Sequence, residues 1–110
     1  MKVWLDDNRN PETCGFHGYM WYKCPRELIH DLDDIQDKVT EFHLDHYLND
    51  WGNITGKEIL FYIDSALDDG ELKNLKTIYV HTSDEVIGET YLNVIDPRHD
   101  VIVEYKGLAW

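Results

Sequence analysis

Short apolar runs of about two-residue period alternate along this chain with longer stretches whose apolar residues recur every three to four positions. Residues 2–5 (Lys-Val-Trp-Leu) read as a strand that stops at Asp6-Asp7-Asn8-Arg9-Asn10-Pro11, a run of strong turn formers. Residues 20–24 (Met-Trp-Tyr-Lys-Cys) predict a second strand. Pro25 then suits a first helical position, and Leu28, Ile29, Leu32 and Ile35 share one face of the helix that follows. Residues 39–44 predict a third strand running into Asp45-His46, and the polar stretch 49–53, with Asp50 and Trp51, a loop. Thr55-Gly56-Lys57-Glu58 has the form of a capping box, opening a helix that buries Ile59, Leu60, Ile63 and Leu67 and stops near Asp68-Asp69-Gly70.

Residues 77–82 predict a fourth strand. A second capping box, Thr82-Ser83-Asp84-Glu85, opens a helix with Ile87, Tyr91, Val94 and Ile95 on one face, ended by Asp96-Pro97. Residues 100–105 supply a last strand at the edge of the sheet. Strands alternating with helices imply right-handed crossovers and a mostly parallel sheet of four to five strands, covered on both faces. The first connection, residues 6–19, lacks helical periodicity and is expected to be a loop. The expectation is one α/β domain over residues 1–110.

Composition narrows the function classes. The apolar share of 43% suits a packed core and argues against disorder. A formal charge of -12 disfavours a protein that tracks a nucleic-acid backbone or docks on an anionic membrane. No apolar run near Met1 is long enough for a signal peptide or a membrane span, so the cytoplasm is the expected compartment. Cys14 and Cys24 are then expected as free thiols, and neither has a zinc-ligand spacing.

Open parallel sheets bind ligands at the carboxyl ends of their strands. Here those ends carry Asp6-Asp7, Asp45-His46 and His81-Thr82-Ser83. Three carboxylates converging there would repel one another and recruit a counter-ion. Mg2+ or Mn2+ suits such an oxygen site at Asp6, Asp7 and Asp45, although each Asp alone serves equally well as a loop or helix cap. Arg9 is a candidate phosphate clamp, or a partner for a neighbouring carboxylate. His46 and His81, beside the acidic residues, are candidates for proton transfer. His17, His30, His43 and His99 are given no such role; His43 is expected to point opposite to Leu44.

The same constellation resembles the receiver fold, in which an acidic pair after the first strand and an Asp after the third hold Mg2+. Asp6-Asp7 and Asp45 match those positions, Thr82 or Ser83 matches the hydroxyl after the fourth strand, and Lys106 stands for the receiver lysine. Gly107 stands where a proline is expected, and no terminal helix is expected before Trp110, which argues against phosphotransfer signalling. The chain resembles more closely the cyclic-phosphate processing receiver domains. Val3-Trp4-Leu5-Asp6-Asp7-Asn8-Arg9, Leu44-Asp45-His46-Tyr47-Leu48, Thr55-Gly56 and Val80-His81-Thr82-Ser83 carry that resemblance over residues 2–92. Tyr47 replaces that family's second acidic residue, with Asp50 close enough in sequence to substitute.

The resemblance implies a receiver-like (flavodoxin-like) fold and a metal-dependent phosphoesterase acting on a small cyclic-phosphate nucleotide or nucleotide derivative. Asp6, Asp7 and Asp45 would hold Mg2+ or Mn2+, Asp45, His46 and His81 would carry the chemistry, and Arg9, Thr82 and Ser83 would hold the phosphate. The alternatives are a non-catalytic receiver-like regulator, a module binding a ligand or partner protein, and an acidic mimic acting through its charge.

Overall fold

The computed structural model describes residues 1–46, 55–82 and 84–106. Tyr47, Asp50, Ser83, Gly107 and the loop at 49–53 lie outside the described residues. Five strands form one sheet: β1 (Lys2–Leu5), β2 (Tyr19–Tyr22), β3 (Glu41–Asp45), β4 (Thr77–His81) and β5 (Ile102–Lys106). Their order is β2-β1-β3-β4-β5, and every neighbouring pair is parallel. Three helices connect them: α1 (Pro25–Ile35), α2 (Gly56–Asp68) and α3 (Glu85–Tyr91). This is an α/β receiver-like fold, and its radius of gyration of 12.8 Å is that of a tightly packed chain of this length.

The strand order decides which face each connection covers. From β1 the chain steps outward to β2; every later step, β2 to β3 to β4 to β5, runs in the opposite direction. Right-handed crossovers then place α1, α2 and α3 on one face and the segment 6–18 on the other. The side chains agree. Val3, Leu5, Phe42, Leu44, Ile78 and Val80 form a core with Leu28 and Leu32 of α1, Ile59, Leu60 and Ile63 of α2, and Tyr91 of α3. The alternate positions Trp4 and His43 lie on the opposite face, where Phe16 packs on both rings at centroid distances of 5.1 and 5.3 Å. Among the described residues the α-helices therefore cover one face only, whereas the pattern predicted cover on both. The segment 6–18 holds a single 3-10 turn, Pro11–Cys14, closed by Gly15 at φ 85°, a conformation that costs glycine little.

Other boundaries moved for local reasons. β2 begins and ends earlier than expected, and β3 extends through Asp45, which pairs with His81 as part of the ladder. The capping box at Thr55 forms as expected. The one expected at Thr82 does not: Asp84 is the N-cap of α3, its carboxylate accepting the N–H groups of Val86 and Ile87. A carboxylate is the stronger acceptor, and Thr82 stays buried at the end of β4 with its hydroxyl accepting the Asp84 N–H. α3 ends at Tyr91, leaving Val94 and Ile95 beyond it, and Asp96 caps a separate 3-10 turn, Pro97–His99. Among the described residues no helix is long and apolar enough to cross a membrane.

Candidate metal and phosphate site

Asp6 follows the last residue of β1 and is fixed on all sides. Its N–H donates to the Tyr22 carbonyl at 3.1 Å, and its own carbonyl accepts the Trp21 indole N–H at 2.8 Å. Its Oδ1 accepts the N–H groups of Asn8 and Arg9, each at 2.9 Å, which folds residues 6–9 into a tight turn. Oδ2 is buried and has no hydrogen-bond partner among the described residues, in a residue only 2% exposed. Burial pushes the Asp6 carboxyl above its ordinary value, against the pull of those two N–H donors and the Arg9 charge.

Two further carboxylates reach this orphaned oxygen's residue. One oxygen atom each from Asp6, Asp7 and Asp45 lies within 4.8 Å of the others, with Asp7 and Asp45 half-buried. An all-oxygen, anionic and partly dehydrated group with one unsatisfied buried oxygen fits a hard divalent cation. A second group, Asp64, Asp68 and His99, differs on that point. His99 binds Asp68 at 2.7 Å and Asp64 accepts the Asp96 N–H at 3.0 Å, so each member already has a hydrogen-bond partner.

Asp45 is held from behind by α2. A Cβ added to Gly56 would meet the Asp45 carbonyl oxygen at 2.5 Å, and the Gly56 N–H donates to the His46 carbonyl at 3.1 Å. Only glycine lets the helix start this close to the strand end. Arg9 is half-buried next to Asp6; its carbonyl accepts the Trp4 indole N–H at 3.0 Å. With Asn8, Asn10, Thr13 and Cys14 it lines an open cavity of about 440 Å³, within the size range of small-ligand sites.

The two candidate histidines part company at the sheet. His46 Nδ1 makes a short contact with the Tyr91 hydroxyl of α3, on the helix-covered face, and burial pulls His46 below its ordinary pKa. α3 lies close to β5 because Gly88 packs directly on the Tyr105 ring. His81 lies on the other face, 4% exposed, edge-on to Trp4. Its Nε2 meets His43 Nδ1 at 2.7 Å. His43 Nε2 in turn meets Glu41 Oε2 at 3.0 Å and the Tyr19 hydroxyl at 2.9 Å, and Tyr19 makes a short hydrogen bond to the same Glu41 oxygen.

His43, Glu41 and Tyr19 are residues that sequence reasoning passed over. His43 does point opposite to Leu44, as expected, but that side is not solvent: His43 is 5% exposed and stacks on Trp4. The available signal was the alternation Glu41, His43, Asp45 on one face of a strand that both neighbours bury.

A family model described as the cyclic-phosphate processing receiver domain matches residues 1–96 of the chain. No curated protein and no solved structure matches it.

Proposed function

The chain belongs to the cyclic-phosphate processing receiver domain family, and from that premise we propose that it is a cytoplasmic, metal-dependent phosphoesterase for a small cyclic-phosphate nucleotide or nucleotide derivative. The observation that carries this reading is the meeting of Asp6, Asp7 and Asp45, in which Asp6 also keeps a buried oxygen with no hydrogen-bond partner among the described residues. These three residues would hold Mg2+ or Mn2+. Bound there, a divalent cation supplies charge neutralisation at the phosphoryl group and a more acidic water.

The remaining roles fall to the chain's own residues. Arg9 offers a planar fork for two phosphate oxygens, with Thr82 and Ser83 as hydroxyl donors. The cavity beside Arg9 has room for the nucleoside part of the ligand. In hydrolysis, a water oxygen bonds to phosphorus as one ring P–O bond breaks, and a proton passes from the water to the leaving oxygen. The product is a phosphomonoester. His46, Asp45 and His81 are the groups assigned to that proton; His46, pulled down by burial, is neutral at pH 7 and able to accept it.

The test is phosphorus NMR on purified protein with Mg2+ or Mn2+ and a panel of 2′,3′-cyclic, 3′,5′-cyclic and nucleotide-derived cyclic phosphates. One substrate should open to a monoester, with Asp45→Asn reducing the rate beyond the roughly 10²–10⁴-fold expected for loss of a general acid or base. Tight binding of a ligand without turnover by any metal would make the protein a binding module. A labile phosphoryl adduct on Asp45 after incubation with acetyl phosphate would make it a signalling receiver.

A further inference from the structure

The reading above gives His81 a proton to move, yet His81 is covered. It is 4% exposed, edge-on to Trp4 and with the Phe16 ring 6.4 Å away between centroids. Asp45 is its register partner on β3, so the two side chains share the sheet face that the segment 6–18 overlies. A cyclic phosphate held at Asp45 meets the His81 ring only after part of that cover moves. Of the two rings, Trp4 is fixed in β1, which is paired on both edges. Phe16 lies between a 3-10 turn and β2, in no helix or strand.

Phe16 is flanked by Gly15 and Gly18, at φ 85° and 80°. A Cβ added to either would meet nothing within 4 Å, so no neighbour crowds the chain there. Glycine crosses between left- and right-handed backbone without the steric cost that other residues meet. The ring is held inward by packing on Trp4, His43 and Tyr19, and the Phe16 N–H donates to the Pro11 carbonyl at 2.9 Å. We propose that Phe16 is a gate over His81. Seated on Trp4 and His43, the ring closes the site; rotation about Gly15 and Gly18 withdraws it and opens the Asp45–His81 edge to a cyclic phosphate. The open form is a minor population of the free protein, and the apparent affinity for the ligand is reduced by that fraction.

The kinetic consequence rests on the phosphoesterase reading, whereas access to His81 does not, so two measurements separate them. The first needs no substrate: acylation of the full chain by diethyl pyrocarbonate at fixed pH, followed histidine by histidine through peptide mass spectrometry. His81 should react far more slowly than the exposed His17 and His30. Its rate should stay constant in urea well below the unfolding midpoint, because a local opening exposes little surface. Phe16→Ala should speed acylation of His81 about tenfold or more and leave His17 and His30 unchanged. Gly18→Ala, strained at a left-handed φ only while the gate is closed, should speed it about fivefold. Three results would each overturn the gate: wild-type His81 reacting as fast as His17, protection lost only along the global unfolding curve, or neither variant changing the rate.

The second measurement uses whichever cyclic phosphate of the panel is hydrolysed. Both experiments read the open fraction, so Phe16→Ala should lower KM by about the factor by which acylation rises, with kcat nearly unchanged. Faster acylation with an unchanged KM would show that the substrate does not pass Phe16, and a raised KM would make the ring a binding contact; either overturns the gate. If no cyclic phosphate turns over, the phosphoesterase reading fails while the acylation rates still decide whether Phe16 opens.

Discussion

Asp6 binds its turn through one oxygen and leaves the other buried, with no partner among the described residues. Without a cation the folded state holds this carboxyl's proton more tightly than the unfolded chain does, because burial raises its pKa. Stability therefore falls as pH rises past the ordinary value of 3.8, until the raised folded value is passed. In chelator-treated buffer at pH 7, Asp6→Asn should stabilise the fold by about 1 kcal/mol, since the new amide can donate to the neighbouring Asp7 or Asp45. That gain should vanish well below pH 3.8, where the wild-type carboxyl is protonated in both states. Millimolar Mg2+ or Mn2+ should reverse the ranking. A ligand at a hundred times its Kd stabilises by about 2.7 kcal/mol, and Asp6→Asn should forfeit most of that. Scanning fluorimetry with and without metal measures both effects. Equal metal responses in the two proteins would count against the site.

At the scale of elements, the contact between α2 and the end of β3 makes Gly56 decisive. Helix propensity alone favours alanine over glycine by about 1 kcal/mol. A Cβ 2.5 Å from the Asp45 carbonyl oxygen cannot be accommodated without moving backbone, and overpacking of that kind costs about 1–3 kcal/mol. Gly56→Ala should therefore destabilise the protein, seen in the urea midpoint, and blunt the metal response by displacing Asp45. A stabilised Gly56→Ala protein would show that the two elements can part without loss.

The helix at Thr55 was legible because a capping box is a local signal of four residues. The start of α3 was misplaced by two because Thr82 and Asp84 are both N-cap residue types, and Thr82 stays buried at the strand end. The meeting of Asp6, Asp7 and Asp45 was legible because strand ends can be read from where apolar runs stop. The chain of Tyr19, Glu41, His43 and His81 was not, because it joins three strands through register, and register is set by packing rather than by any one segment.

At the scale of the molecule, the step from β1 outward to β2 leaves one sheet face without an α-helix among the described residues. Aromatic rings and the segment 6–18 do the work a helix would do: Trp4 is 1% exposed although its cover is a 3-10 turn and loop. Phe16 is the side chain of that segment in ring contact with Trp4, His43 and Tyr19. Phe16→Ala should cost about 1–3 kcal/mol in urea unfolding, below the 3–5 kcal/mol of a fully buried Phe, because Phe16 is half-buried. It should also let solvent reach the Trp4 indole, read as a red-shifted emission. A variant as stable as wild type would mean that the segment covers this face without anchoring on it.

The place of β1 between β2 and β3 also bears on how the chain is made. β1 leaves the ribosome before either neighbour exists, and Lys2 must wait for Glu41 before its second edge is paired. At about 5–20 residues per second that wait lasts roughly a few seconds, during which Val3, Trp4 and Leu5 present an open apolar edge. Pairings so distant along the chain also make folding slow for the protein's size. The strand that leads into two of the three acidic residues is therefore the one most exposed to mispairing during synthesis, and holding nascent chains short of residue 41 should leave it accessible to protease.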